Sequence, residues 1–178
     1  MLDVFLWLIA IELIGLLAFP LAFLLLPWLP DRGYSLTKPL GLLLAFYPLW
    51  VLGSTQVIPN GLLTIAVILV MLGAAALLIL WLHQNEMAAF LGREWKFLVL
   101  TEVVFLSVFA IWVYIRAYDP AIDHTEQLMD FAFLTTSANS LHFPPMDPWL
   151  AGESVSYYYF GYLMMGGLST LTGITTSV

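Results

Sequence analysis

Three acidic residues of this chain are spaced so that a helix would carry them on one face. Asp123, Glu126 and Asp130 follow one another at intervals of three and four residues, which brings side chains together on helical backbone. Carboxylates this close repel one another, so something must compensate their charges. A divalent cation such as Mg²⁺ or Mn²⁺, with His124 close by, would do so through oxygen ligands. The alternatives are one acid with a raised pKa, as a general base requires, and a solvated acidic face that also caps a helix.

The same stretch predicts where this helix begins. Asp123 is followed three residues later by Glu126, which fits a capping box, so we predict a helix from about His124 to Thr136. Its apolar positions are Leu128, Met129, Phe131, Ala132, Phe133 and Leu134. They cover more than half of the circumference, so the helix is expected to lie at the membrane interface with Phe131 and Leu134 buried.

A proline-rich segment follows and carries a third acid. Pro144, Pro145 and Pro148 exclude helix and sheet interior and impose a stiff, extended path. The same segment contains Asp147 and Trp149. It either shapes a site by holding these two side chains or acts as a structural strap across the helix ends.

Three consecutive tyrosines, Tyr157, Tyr158 and Tyr159, come next. They fit an aromatic belt at a membrane surface. Successive residues of a helix point in different directions. At least one of the three hydroxyls must therefore face protein or a polar cavity.

Membrane-spanning helices must position these residues, because the composition excludes an ordinary soluble domain. Of the 178 residues, 62% are hydrophobic and only 10% are charged, whereas soluble domains have about 25% charged residues. The apolar residues form long runs, which is typical of bilayer-spanning helices. We predict an all-α, polytopic membrane helical bundle with five spans, at residues 4–28, 39–55, 62–82, 97–114 and 157–171. The second span is short enough to be re-entrant instead.

Two acids, Glu12 and Glu102, fall inside the predicted spans. Ionisable residues within a membrane are costly and are by default candidates for function. Each of them is alternatively protonated or hydrogen-bonded to a neighbouring helix. A proton or ion path needs a chain of such groups, and the sequence supplies none, so a transporter is disfavoured.

The basic residues predict the orientation in the plasma membrane. They are Arg32, Lys38, Arg93, Lys96 and Arg116. The first four lie in two connections, residues 30–38 and 83–96, which the alternation of spans places on one side. The positive-inside rule then puts both connections in the cytoplasm and the N-terminus outside.

The long loop at residues 118–156 is therefore predicted to be extracytoplasmic, with a short interfacial helix inside it. It carries half of the twelve acids of the chain. The net charge of −7 argues against nucleic acid as a partner, and the lipid bilayer is the expected one. The chain contains no cysteine, which excludes disulfides and thiolate metal sites.

Three stretches of the sequence resemble a family of large prokaryotic multi-pass membrane proteins named for its Tyr-Tyr-Tyr motif. They are Glu126-Gln-Leu-Met-Asp130-Phe-Ala-Phe, Phe143-Pro-Pro-Met-Asp-Pro-Trp-Leu-Ala-Gly152 and Tyr157-Tyr-Tyr-Phe-Gly161. The upstream Pro27-Trp-Leu-Pro-Asp-Arg-Gly33 and Glu102 with Phe105 fit the start of the same family. The resemblance covers nearly the whole chain. The family in turn is similar to the C-type membrane glycosyltransferases.

This resemblance implies an activity and a set of site residues. Enzymes of the C-type superfamily take a sugar from a polyprenyl-phosphate donor at the outer face, and their first outer loop supplies an acidic catalytic residue. The positions that match are Glu126, Asp130 and Asp147 as catalytic candidates, and Arg116, Tyr157, Tyr158 and Tyr159 as candidates for binding the donor or its lipid phosphate. Arg116 alternatively forms an ion pair with Asp119.

The family is usually several times longer than this chain. We therefore expect residues 1–96 to form three N-terminal transmembrane helices, and residues 97–178 to begin a glycosyltransferase-like module that is inactive alone. A non-catalytic membrane scaffold, whose outer loop binds a partner, is the alternative from another class. A piece of a transporter is the less favoured third.

Overall fold

The structure is a computed structural model that describes residues 2–123 and 126–177. Within these residues the chain forms five α-helices: α1 Leu2–Leu25, α2 Thr37–Ser54, α3 Leu62–Tyr118, α4 Gln127–Asn139 and α5 Phe160–Thr172. A short 3-10 turn, Tyr34–Leu36, precedes α2. The prediction of an all-α fold is confirmed.

Three of the helical segments are long and apolar enough to cross a membrane: Leu2–Leu25, Tyr34–Ser54 and Leu62–Tyr118. Large apolar side chains stay exposed along them, with Leu63 80% exposed and Trp112 68% exposed. Helices that are apolar all round need a nonaqueous surrounding. The chain is therefore a membrane protein, and these exposed apolar side chains are consistent with contact with the lipid bilayer.

The prediction that residues 83–96 form a loop is wrong, because this stretch is helical; the side of the membrane on which it lies stays a prediction. α3 runs through it, and only His83 has non-helical backbone angles, with φ −118° and ψ 19°. Residues 84–96 include four charged side chains and two amides, but they contain no proline and many good helix formers. Polarity alone does not break the backbone hydrogen bonds of a helix, so the chain changes direction at one residue rather than across a loop.

The direction of α3 changes strongly at this kink. Before it, Gly73 packs beside Leu17 of α1. After it, Glu102 pairs with Lys38, which also pairs with Glu12 of α1. On one straight helix Gly73 and Glu102 would lie about 44 Å apart, whereas the two α1 residues are only about 8 Å apart along their helix. The two arms of α3 thus pack along the same part of α1, as two separate spans would.

The two basic segments lie at the same end of the bundle. The Arg32 guanidinium lies 4.6 Å from the centre of the Phe23 ring, and Phe23 packs edge-on against Phe90 at 5.5 Å. Phe90 precedes Arg93 by three residues. This agrees with the predicted alternation of the spans, while the side of the membrane on which this end lies stays a prediction.

The two acids of the spans both pair with Lys38 at the beginning of α2. Its ammonium donates to both oxygens of Glu102, at 2.7 and 2.8 Å, and lies 3.3 Å from Glu12 Oε2. It also lies 4.4 Å from the centre of the Phe105 ring. The second alternative offered for these acids, bonding to a neighbouring helix, is therefore the one observed.

The helix predicted within the loop at residues 118–156 is confirmed, but it begins later than predicted. It spans Gln127–Asn139, and its N-cap residue Glu126 makes no side-chain cap bond. Two residues of the predicted first turn, His124 and Thr125, lie outside the described residues. Phe131 and Leu134 are half-buried rather than buried, and Phe133 takes the central position, 5% exposed.

The fifth predicted span is shorter than expected. α5 begins at Phe160, so residues 157–159 precede the helix, and its 13 residues are about 20 Å long against a hydrocarbon core of about 30 Å. Two adjacent glycines let it pack closely on both sides. A Cβ on Gly166 would lie 3.1 Å from Ala138 of α4, and one on Gly167 only 2.2 Å from the Phe46 ring of α2.

Candidate functional site at the acidic tyrosine cluster

Contact between α4 and α5 brings an acid and a phenol together. The Tyr162 hydroxyl donates a hydrogen bond to Oδ1 of Asp130. Within the described residues the second oxygen, Oδ2, has no hydrogen bond. Asp130 is half-buried, so its carboxylate is partly shielded from water and keeps one oxygen for a further partner.

Aromatic rings form the base of this site around Phe133, which lies three residues after Asp130 on α4. The Phe133 ring stacks on Tyr157, with ring centres 5.4 Å apart and planes 17° apart. It meets Trp149 edge-on at 5.4 Å and Tyr162 at 5.6 Å. Such ring pairs stabilise beyond the area they bury, so three segments of the chain are held together at Phe133. We call Asp130, Phe133, Tyr157, Tyr158 and Tyr162 the acidic tyrosine cluster.

The first two tyrosines of the triple form an exposed pair. The Tyr157 hydroxyl donates to the Tyr158 hydroxyl at 2.8 Å. This hydrogen bond raises the pKa of Tyr157 to about 12, helped by slight burial and by the charges of Tyr158, Glu126 and Asp130. The phenol therefore stays protonated at neutral pH. It also follows that both acids lie close enough to Tyr157 for their charges to act on it.

A family comparison covers this whole region. The profile of the DUF2298 family, described as uncharacterized membrane protein, matches residues 44–178. The chain belongs to the DUF2298 family. Neither a comparison with curated proteins nor one with solved structures found a match. The matched range of this DUF2298 protein contains α3, α4, α5 and every member of the acidic tyrosine cluster.

The third tyrosine of the triple points into the bundle instead. The Tyr159 hydroxyl accepts a hydrogen bond from the indole N–H of Trp50 in α2, at 2.9 Å, and its ring stacks on Phe143 at 6.3 Å. One hydroxyl of the triple thus faces protein, as predicted. The structure divides the predicted binding set, with Tyr157 and Tyr158 at the exposed site and Tyr159 anchoring the loop to α2.

The predicted third acid, Asp147, has its hydrogen bonds within its own turn. Its Oδ1 accepts from the backbone N–H groups of Trp149 and Leu150, at 2.8 and 3.0 Å. Its own N–H donates to the Glu153 carbonyl. These bonds hold the turn that presents Trp149 to Phe133, so Asp147 reaches the cluster through Trp149 rather than through its carboxylate.

The proline segment also acts as a strap across the helix ends. The Phe143 N–H donates to the carbonyl of Gly53 at the end of α2. The Phe143 ring occupies the space beside Gly53 where a larger residue would place its Cβ. On the other side, the amide of Asn60 donates to the carbonyls of Ser137 and Ser140, at 3.3 and 3.0 Å. The segment and α4 are thus fixed to the ends of α2 and α3.

Arg116 caps the end of α3. Its guanidinium donates to the backbone carbonyls of Asp119, Pro120 and Ala121, at 2.6, 3.3 and 3.2 Å. The side chain is exposed. These bonds hold the guanidinium at the start of the segment that follows α3, and the role in binding a lipid phosphate stays a prediction.

The structure shows no set of metal ligands for the predicted divalent cation among the residues that it describes. Residues 2–123 and 126–177 contain no group of three or more His, Asp or Glu side chains placed to hold a metal ion. His124, which the cation alternative places close by, lies outside the described residues, so a bound cation stays a prediction.

Tyr162 is the residue of the site that the sequence did not predict. It stands five positions after Tyr157 in the same aromatic run. Only that proximity to the Tyr-Tyr-Tyr motif would have indicated it.

Proposed function

We propose that this DUF2298 protein is the N-terminal part of a membrane glycosyltransferase that transfers a sugar from a polyprenyl-phosphate-linked donor at the outer face of the membrane, with Asp130 as the general base. The observation that carries the proposal is the half-buried carboxylate of Asp130, with one oxygen held by Tyr162 and the other without a hydrogen bond from any residue that the structure describes. The resemblance of the stretches around Asp130 and Tyr157 to a glycosyltransferase-like family supports the same reaction.

The reaction needs one proton acceptor. As the acceptor hydroxyl attacks the anomeric carbon, its proton passes to Oδ2 of Asp130 and a new carbon–oxygen bond forms. The bond from the anomeric carbon to the phosphate oxygen breaks, and polyprenyl phosphate leaves with that electron pair. A carboxylate within hydrogen-bond reach of the attacking hydroxyl is suited to this step, and the Tyr162 hydrogen bond fixes its orientation.

Asp130 is the best supported of the three predicted acids. Glu126 is exposed and contributes its charge near Tyr157. The Asp147 carboxylate already accepts two hydrogen bonds from backbone N–H groups of its own turn. Asp130 alone combines partial burial with a fixed hydrogen bond from a side chain of another helix.

The exposed aromatic residues suit the donor. Tyr157 and Tyr158 are 41% and 72% exposed, and Trp149 is 60% exposed. Amphipathic rings of this kind sit at the level of lipid headgroups. The Tyr157 hydroxyl donates to Tyr158, so the Tyr158 hydroxyl is the one proposed to donate to a phosphate oxygen of the donor. Arg116 is the cation proposed for the same phosphate.

The orientation is part of the proposal and has its own test. Cysteines introduced at Ser156 and Ser35, both exposed, should react differently with an impermeant thiol reagent added to intact cells. Labelling at Ser156 alone agrees with an outer site. Labelling at Ser35 alone, or equal labelling at both, would reverse or remove the predicted orientation.

The activity is tested with membranes from cells that express the full-length gene product to which these residues belong. Polyprenyl-phosphate donors carrying isotopically labelled sugars are added, and transfer of the label to a water-soluble or protein acceptor is measured against membranes without the protein. Transfer that depends on the protein supports the enzyme. Absence of transfer with every donor would instead favour the non-catalytic scaffold. In that alternative the loop only binds a partner, and Asp130 needs no free oxygen for a reaction.

A further inference from the structure

The segment between α1 and α2 holds an arginine in a backbone conformation that L-residues seldom adopt. Arg32 has a φ of 51°, in the left-handed region, and its neighbour Gly33 has a φ of 77°. Bulky residues rarely occupy this region, and those that do cluster at functional positions. Asp31 fixes the turn, because its buried carboxylate accepts hydrogen bonds from the N–H groups of Gly33 and Ser35, at 3.0 and 2.8 Å. The turn therefore holds Arg32 in one defined place.

The Arg32 side chain folds back over the end of α1. Its guanidinium lies 4.6 Å from the centre of the Phe23 ring, and Phe23 is two residues from the last residue of α1. With 24 residues, α1 is about 36 Å long against a hydrocarbon core of about 30 Å. Its end, and with it the guanidinium, therefore reaches the level of the lipid phosphates. The exposed indole of Trp28 agrees with this level, since tryptophan is enriched at membrane surfaces.

Within residues 2–123 and 126–177 the Arg32 guanidinium has no ion pair and no hydrogen bond; its contact is with the Phe23 ring. The carboxylate of Asp31 already accepts the two backbone bonds of the turn. Glu94, an acid at the same end of the bundle, is bonded to Arg93 at 2.8 Å. The guanidinium has five N–H donors, and these remain for an anion from outside the described residues.

From these observations we infer that Arg32 binds the phosphate group of a phospholipid at the end of α1. The planar guanidinium fork matches two oxygens of a phosphate and forms charge-assisted hydrogen bonds with them. The acyl chains of the same lipid would lie against Leu24 and Leu25, which are exposed at the end of α1. The site shares no residue with the acidic tyrosine cluster, so the inference does not depend on the proposed reaction.

Binding is tested on the full-length gene product to which these residues belong, delipidated in detergent and titrated with short-chain lipids. The probe is dioctanoyl phosphatidylglycerol, with dioctanoylglycerol, which lacks the phosphate, as the matched comparison. Native mass spectrometry counts the bound lipids, and the difference between the wild type and Arg32→Gln isolates this site. Arg32→Gln should weaken the binding of one phosphatidylglycerol by about ten- to a hundredfold, because the charge-assisted hydrogen bonds are lost. Dioctanoylglycerol should bind to both proteins alike.

Arg32→Lys separates the phosphate contact from an effect on folding, because lysine keeps the positive charge and lacks only the planar fork. It should bind phosphatidylglycerol more tightly than Arg32→Gln and less tightly than the wild type, with an unchanged circular dichroism spectrum. Arg93→Gln is the matched control, since the Arg93 side chain is 72% exposed and already bonded to Glu94. It should leave binding unchanged.

Three results would overturn the inference. Unchanged lipid binding by Arg32→Gln would leave Arg32 only as a cation that offsets the negative partial charge at the end of α1. Equal losses for Arg32→Gln and Arg93→Gln would indicate a general attraction between cations and anionic lipid rather than a site at Arg32. Displacement of the lipid by millimolar inorganic phosphate would assign the site to a free phosphate instead.

Discussion

Replacement of Lys38 by methionine should destabilise the bundle strongly, because one ammonium serves two carboxylates from different helices. Methionine keeps most of the length of the side chain and removes only the charge. The ammonium is 2.7 Å from Glu102 and 3.3 Å from Glu12. The side chains of Lys38, Glu12 and Glu102 are only 12%, 29% and 25% exposed. Water therefore replaces little of the interaction that the two carboxylates lose with the ammonium.

The expected loss follows from these distances. At an effective dielectric constant of about 20, the two attractions amount to about 6 and about 5 kcal/mol before desolvation is counted. Desolvation of the three groups offsets much of this gain. Removal of one partner from a buried ion pair typically costs about 3–5 kcal/mol, because a charge is left uncompensated. We expect the Lys38→Met loss in this range, with two carboxylates left facing each other.

The assay is equilibrium unfolding of the purified chain in mixed micelles, followed by circular dichroism as the fraction of denaturing detergent rises. Lys96→Met is the control, since Lys96 is exposed and its ammonium lies 5.8 Å from the Trp95 ring centre. It should change stability by no more than about 0.5 kcal/mol. Combining Lys38→Met with Glu12→Gln and Glu102→Gln should recover most of the loss. Equal losses for the two lysine variants would refute the reasoning, as would a triple variant no more stable than Lys38→Met.

Two further substitutions probe the contacts that position the site. Gly167→Ala should destabilise the chain by about 1–3 kcal/mol or more through overpacking, because the new Cβ would meet the Phe46 ring. Gly161→Ala places its Cβ in open space and should not destabilise the chain. Unfolding in the same micelles measures both variants, and similar losses would show that the close approach of Gly167 is unimportant. Tyr158→Phe should lower the pKa of Tyr157 from about 12 towards its ordinary value, because the phenol loses the hydrogen-bond acceptor that favours its protonated form; ring-carbon NMR across an alkaline titration measures it, and an unchanged pKa would assign the shift to the acids instead.

The helices were largely predictable because they follow from apolar runs. α1 and α2 agree with the spans predicted at residues 4–28 and 39–55 to within a few residues. The error at residues 83–96 has a physical cause: polar residues were taken as a loop, although nothing there breaks a helix. The sharp turn at His83 depends on how both arms of α3 pack against α1, and no local pattern specifies it.

The site was predictable where it depends on spacing and motif, and not where it depends on packing. Asp130 and the pair Tyr157 and Tyr158 were predicted, and the structure brings them together. Tyr162 was missed because its role arises only when α5 packs against α4. The three-residue spacing from Asp123 to Glu126 was interpreted as a capping box, although this motif fits many sequences by chance.

Asp147 illustrates a local alternative that the sequence analysis did not weigh. An aspartate followed by proline and two further residues readily accepts hydrogen bonds from backbone N–H groups within its own turn. The structure places its carboxylate there. The partnership of Lys38 with Glu102, 64 residues away, is of the opposite kind, since only the tertiary fold brings these residues together.

The most direct test of the account is the rate of sugar transfer by Asp130→Asn. Asparagine keeps the shape of the side chain and still accepts the Tyr162 hydrogen bond, but it cannot take a proton. The account predicts a fall in rate of about 10²–10⁴ at unchanged expression, while Glu153→Gln, at an exposed acid of the same loop, keeps the wild-type rate. An Asp130→Asn protein that transfers sugar within a few-fold of the wild-type rate would contradict the assignment of Asp130 as the base.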